Sequence, residues 1–133
     1  MLKQLSIYAE NKKGALQTMT NALYEAGINI WGSVTNGAEY GINRMVVSDP
    51  DKAKEVLTEK GYLCRFVDVL AVEIEDKPGA LNTLLTALLD SNVNVDYTYL
   101  SFNRDSSTPV MILHTADPEE VEICLRAKGF KMV

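Results

Sequence analysis

The sequence has little of what metal, redox and phosphate chemistry require. It carries one histidine, His114, and two cysteines, Cys64 and Cys124, in 133 residues. A single His in an apolar segment, with no Cys or carboxylate at a ligand spacing, reads as a packed side chain rather than a metal ligand. The same isolation removes a Ser-His-Asp or Cys-His nucleophile arrangement. Without a secretory signal the two thiols read as reduced and packed, not bridged. A GxxxxGK phosphate loop is absent, so no cofactor is expected.

Positive charge is also scarce, with 13 Lys and Arg against 18 Asp and Glu and a net charge of -5. That balance argues against a nucleic-acid partner, which would need clustered cations to displace counterions. Tyr97, Tyr99 and Phe102 could stack bases on a sheet, but with this charge they read as core or interface side chains. The opening MLKQLSIYAENKK has no continuous apolar segment, so neither a signal peptide nor a membrane helix is expected, and a cytoplasmic location follows. What is present is ordinary globular material, 47% hydrophobic and 23% charged, enough for one compact body or two very small ones.

The strongest pattern is an internal repeat. A shift of 65 places Leu5, Glu10, Lys12, Gly14, Ala15, Leu16, Thr18, Ala22, Leu23 and Asn29 on Leu70, Glu75, Lys77, Gly79, Ala80, Leu81, Thr83, Ala87, Leu88 and Asn94. Later the shift becomes 68, pairing Asp49, Pro50, Leu57, Lys60 and Gly61 with Asp117, Pro118, Leu125, Lys128 and Gly129. The extra residues fall in the polar run NRDSST, a longer hairpin loop than the turn at Asn36 and Gly37. The chain therefore reads as two domains, 1–67 and 68–133.

Each half opens on strand alternation, Leu5, Ile7, Ala9 and Leu70, Val72, Ile74. The period then changes to three and four residues, giving helix faces of Leu16, Met19, Ala22, Leu23 and Ala26, and of Leu81, Leu84, Leu85 and Leu88. Two extended segments follow, then an Asp-Pro helix start at Asp49 and Asp117, a stop at Gly61 and Gly129, and a short strand. This order is the split βαβ arrangement: an α+β fold of two ferredoxin-like βαββαβ units, each an antiparallel four-stranded sheet with its helices on one face, joined side by side. Met45 and Val47 alternate with Val46, and Met111 and Leu113 with Ile112. Apolar on both sides, these strands are expected to be covered on both faces.

The turns ENKKGAL (10–16) and EDKPGAL (75–81) lie between first strand and first helix. Gly14 and Gly79 there would let the backbone approach a ligand at a helix N-terminus, where the amides of Gly14, Ala15 and Leu16, or of Gly79, Ala80 and Leu81, favour a carboxylate. The plainer reading is tight packing of helix on strand. Asn29 and Asn94 follow the first helices; an amide there can take a bond from an ammonium and give one to a carboxylate, or simply close a turn.

ENKKGAL with GINI, and EDKPGAL with NVNV, resemble the paired signatures of ACT domains, and the whole chain resembles a tandem ACT protein. The resemblance implies a noncatalytic regulatory protein, not an enzyme, that binds an amino acid at interfaces between paired domains, commonly as a homodimer, and regulates an enzyme on another chain. Serine-binding members carry an Asn three residues before the turn Gly and a second Asn after the first helix; Asn11 and Asn29 match both, whereas the second copy keeps Asn94 but has Asp76, so the copies should differ in preference. The alternative is a structural or protein-interaction module without a ligand. An unrecognised small enzyme is the remaining reading, for which no titratable cluster speaks.

Overall fold

The computed structural model describes residues 1–37 and 40–133, with Tyr40 described in its backbone only. It resolves into two compact units, Lys3–Val67, and Asp68–Val133 together with Met1–Leu2. In chain order the elements are β1 (Leu2–Glu10), α1 (Ala15–Glu25), β2 (Ile30–Asn36), β3 (Tyr40–Val47), α2 (Pro50–Glu59) and β4 (Leu63–Glu73). They continue with α3 (Ala80–Asp90), β5 (Tyr97–Phe102), β6 (Pro109–His114), α4 (Pro118–Ala127) and β7 (Lys131–Met132). Each unit is the expected βαββαβ succession.

One strand departs from that expectation. The last strand of the first unit and the first strand of the second are a single strand, β4, of 11 residues. LCRFVDVLAVE contains no Gly, Pro or Asn that could break it, and its β-branched and apolar residues suit continuous extension. In the first unit β1 pairs β3 antiparallel, with Ile7 opposite Asn43 and Leu5 opposite Met45, and β2 pairs the other side of β3. In the second unit β4 pairs β6, with Val72 opposite Met111 and Leu70 opposite Leu113, while β5 and β7 complete the set.

The cores follow from these registers. In the first unit Leu5, Ile7, Met45 and Cys64 meet Met19 and Leu23 of α1 and Leu57 of α2. In the second, Leu70, Val72 and Leu113 meet Leu84, Leu88 and Leu125. Val46 and Ile112 alternate with these core residues and leave the opposite face of each sheet. Three residues assigned to the helix stripes stand outside them: Leu16, Leu81 and Leu85 are 48%, 37% and 38% exposed. At 100° per residue these positions reach the rim of a sheet already filled by Met19, Leu23, Leu84 and Leu88.

Residues 103–108 connect β5 to β6, while β2 ends at Asn36 and β3 begins at Tyr40, with residues 38 and 39 outside the described residues. Asn103 organises the longer loop, its side-chain oxygen accepting from the amide of Asp105 at 2.9 Å. The two Asp-Pro starts are not equivalent. Asp49 caps α2 by accepting from the Lys52 amide at 3.1 Å, whereas Asp117 makes no capping bond and α4 relies on Glu119 and Glu120 in its first turn. Cys64 and Cys124 are both free, and burial pushes the Cys64 thiol up, with Lys54 opposing. Among the described residues no helix is long and apolar enough to cross a membrane.

Candidate functional site

The turn between β1 and α1 is built around a left-handed residue. Gly14 has φ +83° and Gly79 φ +86°, a region in which a Cβ costs about 1–2 kcal/mol. A Cβ added at either would meet nothing within 4 Å, so tight helix-on-strand packing does not explain these glycines. The conformation does. It turns the chain into the helix and leaves the space in front of the first turn open.

That first turn has an uncompensated positive end. Neither α1 nor α3 has a side-chain cap or an acidic residue in its first turn. The Ala15 amide donates to the Lys12 carbonyl at 3.1 Å, and the Ala80 amide to the Lys77 carbonyl at 3.2 Å. Both are thus occupied, and the amides of Leu16 and Gln17 are the remaining first-turn donors of α1. Thr18 holds the turn from behind, its amide and hydroxyl donating to the Gly14 carbonyl at 3.0 and 2.9 Å.

In the first unit this turn opens on a pocket of about 110 Å³, lined by Asn11, Lys12, Ala15, Leu16, Thr35 and Asn43 among others. Asn43 is the residue that sequence reasoning missed. It lies on β3 in line with Met45 and Val47, facing the helices, and is 2% exposed. Its amide nitrogen donates to the Thr35 hydroxyl at 2.6 Å, and its oxygen is buried without a partner. Such an acceptor is costly unless something donates to it.

The repeat supplies an internal control. Thr35 and Ile7 flank Asn43 in the first unit; Leu100 and Val72 flank Met111 in the second. A polar pair in one copy is an apolar pair in the other, and a comparison of GINRMVV with PVMILH at the shift of 68 carries that signal. The turn cleft of the second unit is larger, about 340 Å³, and more charged, being lined by Glu73, Glu75, Lys77, Ala80, Thr108 and Lys131. Lys77 pairs with Glu75, and Lys131 with Glu73 at 3.3 Å. Burial raises the Glu73 carboxyl, but hydrogen bonds from Lys131 and Asn103 and the Lys131 charge outweigh it and hold the group below the ordinary glutamate value.

Of the sequence-derived candidates, Asn11, Ala15 and Leu16 line the first pocket and Ala80 the second. Asn29 and Asn94 are not gathered with them. Each sits past the far end of an 11-residue helix, about 16 Å from the turn. Asn29 lines a shallow depression with Gln17, Asn21 and Tyr24, and its backbone is zipped to Ser48. Asn94 donates to Asp96 at 3.2 Å. Asp76, Gly79 and Leu81 complete the second turn. His114, read as a packed side chain, is stacked on Tyr97 at 4.9 Å and paired through Nδ1 with Asp96 at 2.8 Å. Among the described residues no group of three or more His, Cys, Asp or Glu could hold a metal.

Comparison with known proteins adds a family. A family model described as an ACT domain pair matches residues 1–132. Among solved structures, protein BT0572 from Bacteroides thetaiotaomicron is 29% identical and superposes with a TM-score of 0.90, over 99% of this chain and 91% of that one. The regulatory subunit of aspartate kinase from Thermus thermophilus, in its ligand-free form, is 18% identical with a TM-score of 0.66, over 96% and 91%. That from Thermus flavus is 19% identical with a TM-score of 0.62, over 96% and 91%. The likeness to these two subunits is one of fold. No curated protein matches the chain.

Proposed function

The chain belongs to the ACT domain pair family, and from that premise we propose that it is a noncatalytic regulatory protein of the cytoplasm that binds a small amino acid in the turn pocket of its first unit. The observation that carries this reading is Asn43, which lines a pocket whose mouth is the N-terminus of α1 and whose oxygen lies buried behind that wall without a partner. A zwitterion matches both ends. Its carboxylate meets the Leu16 and Gln17 amides and the positive helix end, and its ammonium donates to Asn43. Asn11 and Lys12, both exposed, form the rim. A pocket of about 110 Å³ admits a small side chain only.

The second unit has no equivalent polar floor, so the proposed stoichiometry is one ligand per chain, with Asn29, Asp76, Gly79, Leu81 and Asn94 outside the binding contacts made by one unit alone. Ligand then acts on an enzyme carried by another chain or on self-assembly. A homodimer is supported by Leu81, Leu85 and Leu89, which recur every four residues along α3 and are 37%, 38% and 76% exposed.

Calorimetry against glycine, alanine, serine and larger amino acids tests the proposal. Small neutral amino acids should bind at one site per chain, and propionate, which is alanine without its ammonium, should not compete. Failure of every amino acid to bind would refute the function; propionate competing as well as alanine would refute the role of Asn43.

A further inference from the structure

The two units differ sharply at the far end of their first helices. In the first unit the Lys52 ammonium donates to the Ala26 carbonyl at 2.9 Å, on the negative end of α1. Ser48 closes the same corner: its hydroxyl accepts from the Asn29 amide at 3.0 Å and its own amide donates to the Asn29 carbonyl at 2.9 Å. At the equivalent places the second unit has Ser91 for Ala26, Thr115 for Val47, Ala116 for Ser48 and Glu120 for Lys52. Every one of these exchanges changes polarity, size or charge, and the cation is lost.

A pocket of about 420 Å³ stands in its place, lined by Ser91, Asn94, Asp96, Thr115, Asp117 and Glu120 among others. The Ser91 carbonyl, counterpart of the one that Lys52 caps, accepts no hydrogen bond among the described residues. Thr115 is 2% exposed and its buried hydroxyl has no partner. Asp96 is held by Asn94 and His114, but the carboxylates of Asp117 and Glu120 have no partner among the described residues. The end of a helix, a threonine with an orphaned buried hydroxyl and two free carboxylates line one pocket where the sister unit keeps an ammonium of its own.

We infer that this pocket binds the primary ammonium group of a small organic cation, in the position that Lys52 fills in the first unit. The N–H donors meet the Ser91 carbonyl and the Glu120 carboxylate, and reach the buried Thr115 hydroxyl once that side chain turns toward the pocket it lines. The net charge of -5 attracts any cation, so hydrogen-bond donors, not charge alone, must discriminate. This site lies outside the turn pocket of the first unit, and its test is independent of amino-acid binding there.

The probe is n-butylammonium, which has the length and head group of a lysine side chain, with tetramethylammonium as a cation lacking N–H donors. Amide NMR titrations of the full chain at about 0.15 M salt screen diffuse attraction. Butylammonium should shift Ser91, Asn94, Thr115 and Glu120 saturably, and tetramethylammonium should not. Glu120→Lys restores the lysine of the first unit and should weaken binding about tenfold or more, while Thr115→Val, which copies Val47, should weaken it severalfold; the second variant carries the test if the first fails to fold. Absence of saturable shifts, an equal response to tetramethylammonium, or unchanged affinity in the folded variants would each overturn the inference.

Discussion

Replacing Asn43 by Met, the residue at the matching register position of the second unit, should stabilise the ligand-free protein while abolishing ligand binding. A buried acceptor without a donor costs about 1–3 kcal/mol, and its removal returns that amount. Against this stands the 2.6 Å bond from Asn43 to the Thr35 hydroxyl. Thr35 is exposed, so water replaces that bond and the loss is about 0.5–1.5 kcal/mol at most. Met also extends into the adjoining pocket of about 110 Å³ and adds apolar burial at roughly 25 cal/mol per Å². The net expectation is a gain of about 1 kcal/mol, or roughly 4 °C in Tm for a chain of this size. Thermal denaturation followed by circular dichroism measures it, and the same melts repeated with the amino acid that binds the parent should show no ligand-dependent shift. Most core substitutions destabilise, which makes the sign informative. A loss of 1 kcal/mol or more in the absence of ligand would refute the claim that the Asn43 oxygen is an uncompensated acceptor.

Other outcomes follow from the same geometry. Gly14→Ala forces a Cβ into φ +83° without a clash and should cost about 1–2 kcal/mol in chemical denaturation; a neutral result would mean that the turn relaxes out of the left-handed region. Leu57→Ala and Leu125→Ala, both at fully buried positions, should each cost about 2–5 kcal/mol by the same measurement. Glu73 has a lowered folded-state pKa, so its contribution is complete above the unfolded glutamate value of about 4.3 and is lost as pH falls from there through the folded value. Glu73→Gln should accordingly flatten the acid limb of the stability profile in that window; an unaltered limb would show that the Lys131 and Asn103 bonds contribute nothing.

The repeat, the helix and strand order, the Asp-Pro helix starts and the longer second hairpin were legible in the sequence, because each depends on residues within a few positions of one another. Periodicity records which side of an element is apolar, and a turn glycine or a helix-starting proline acts on its own backbone. The family signature was legible for the same reason, since ENKKGAL and EDKPGAL are contiguous.

What lay beyond the sequence depends on partners brought together by folding. That Asn43 has a donor bond to Thr35 but no bond to its oxygen is a property of three strands and a helix meeting, and nothing in GINRMVV states it. The buried Thr115 hydroxyl left without a partner is likewise set by the tertiary structure. The sequence by itself determined two similar βαββαβ units, because local pattern fixes local structure. Only the tertiary structure made them chemically unequal, because an unpaired polar atom is defined by what fails to reach it in space.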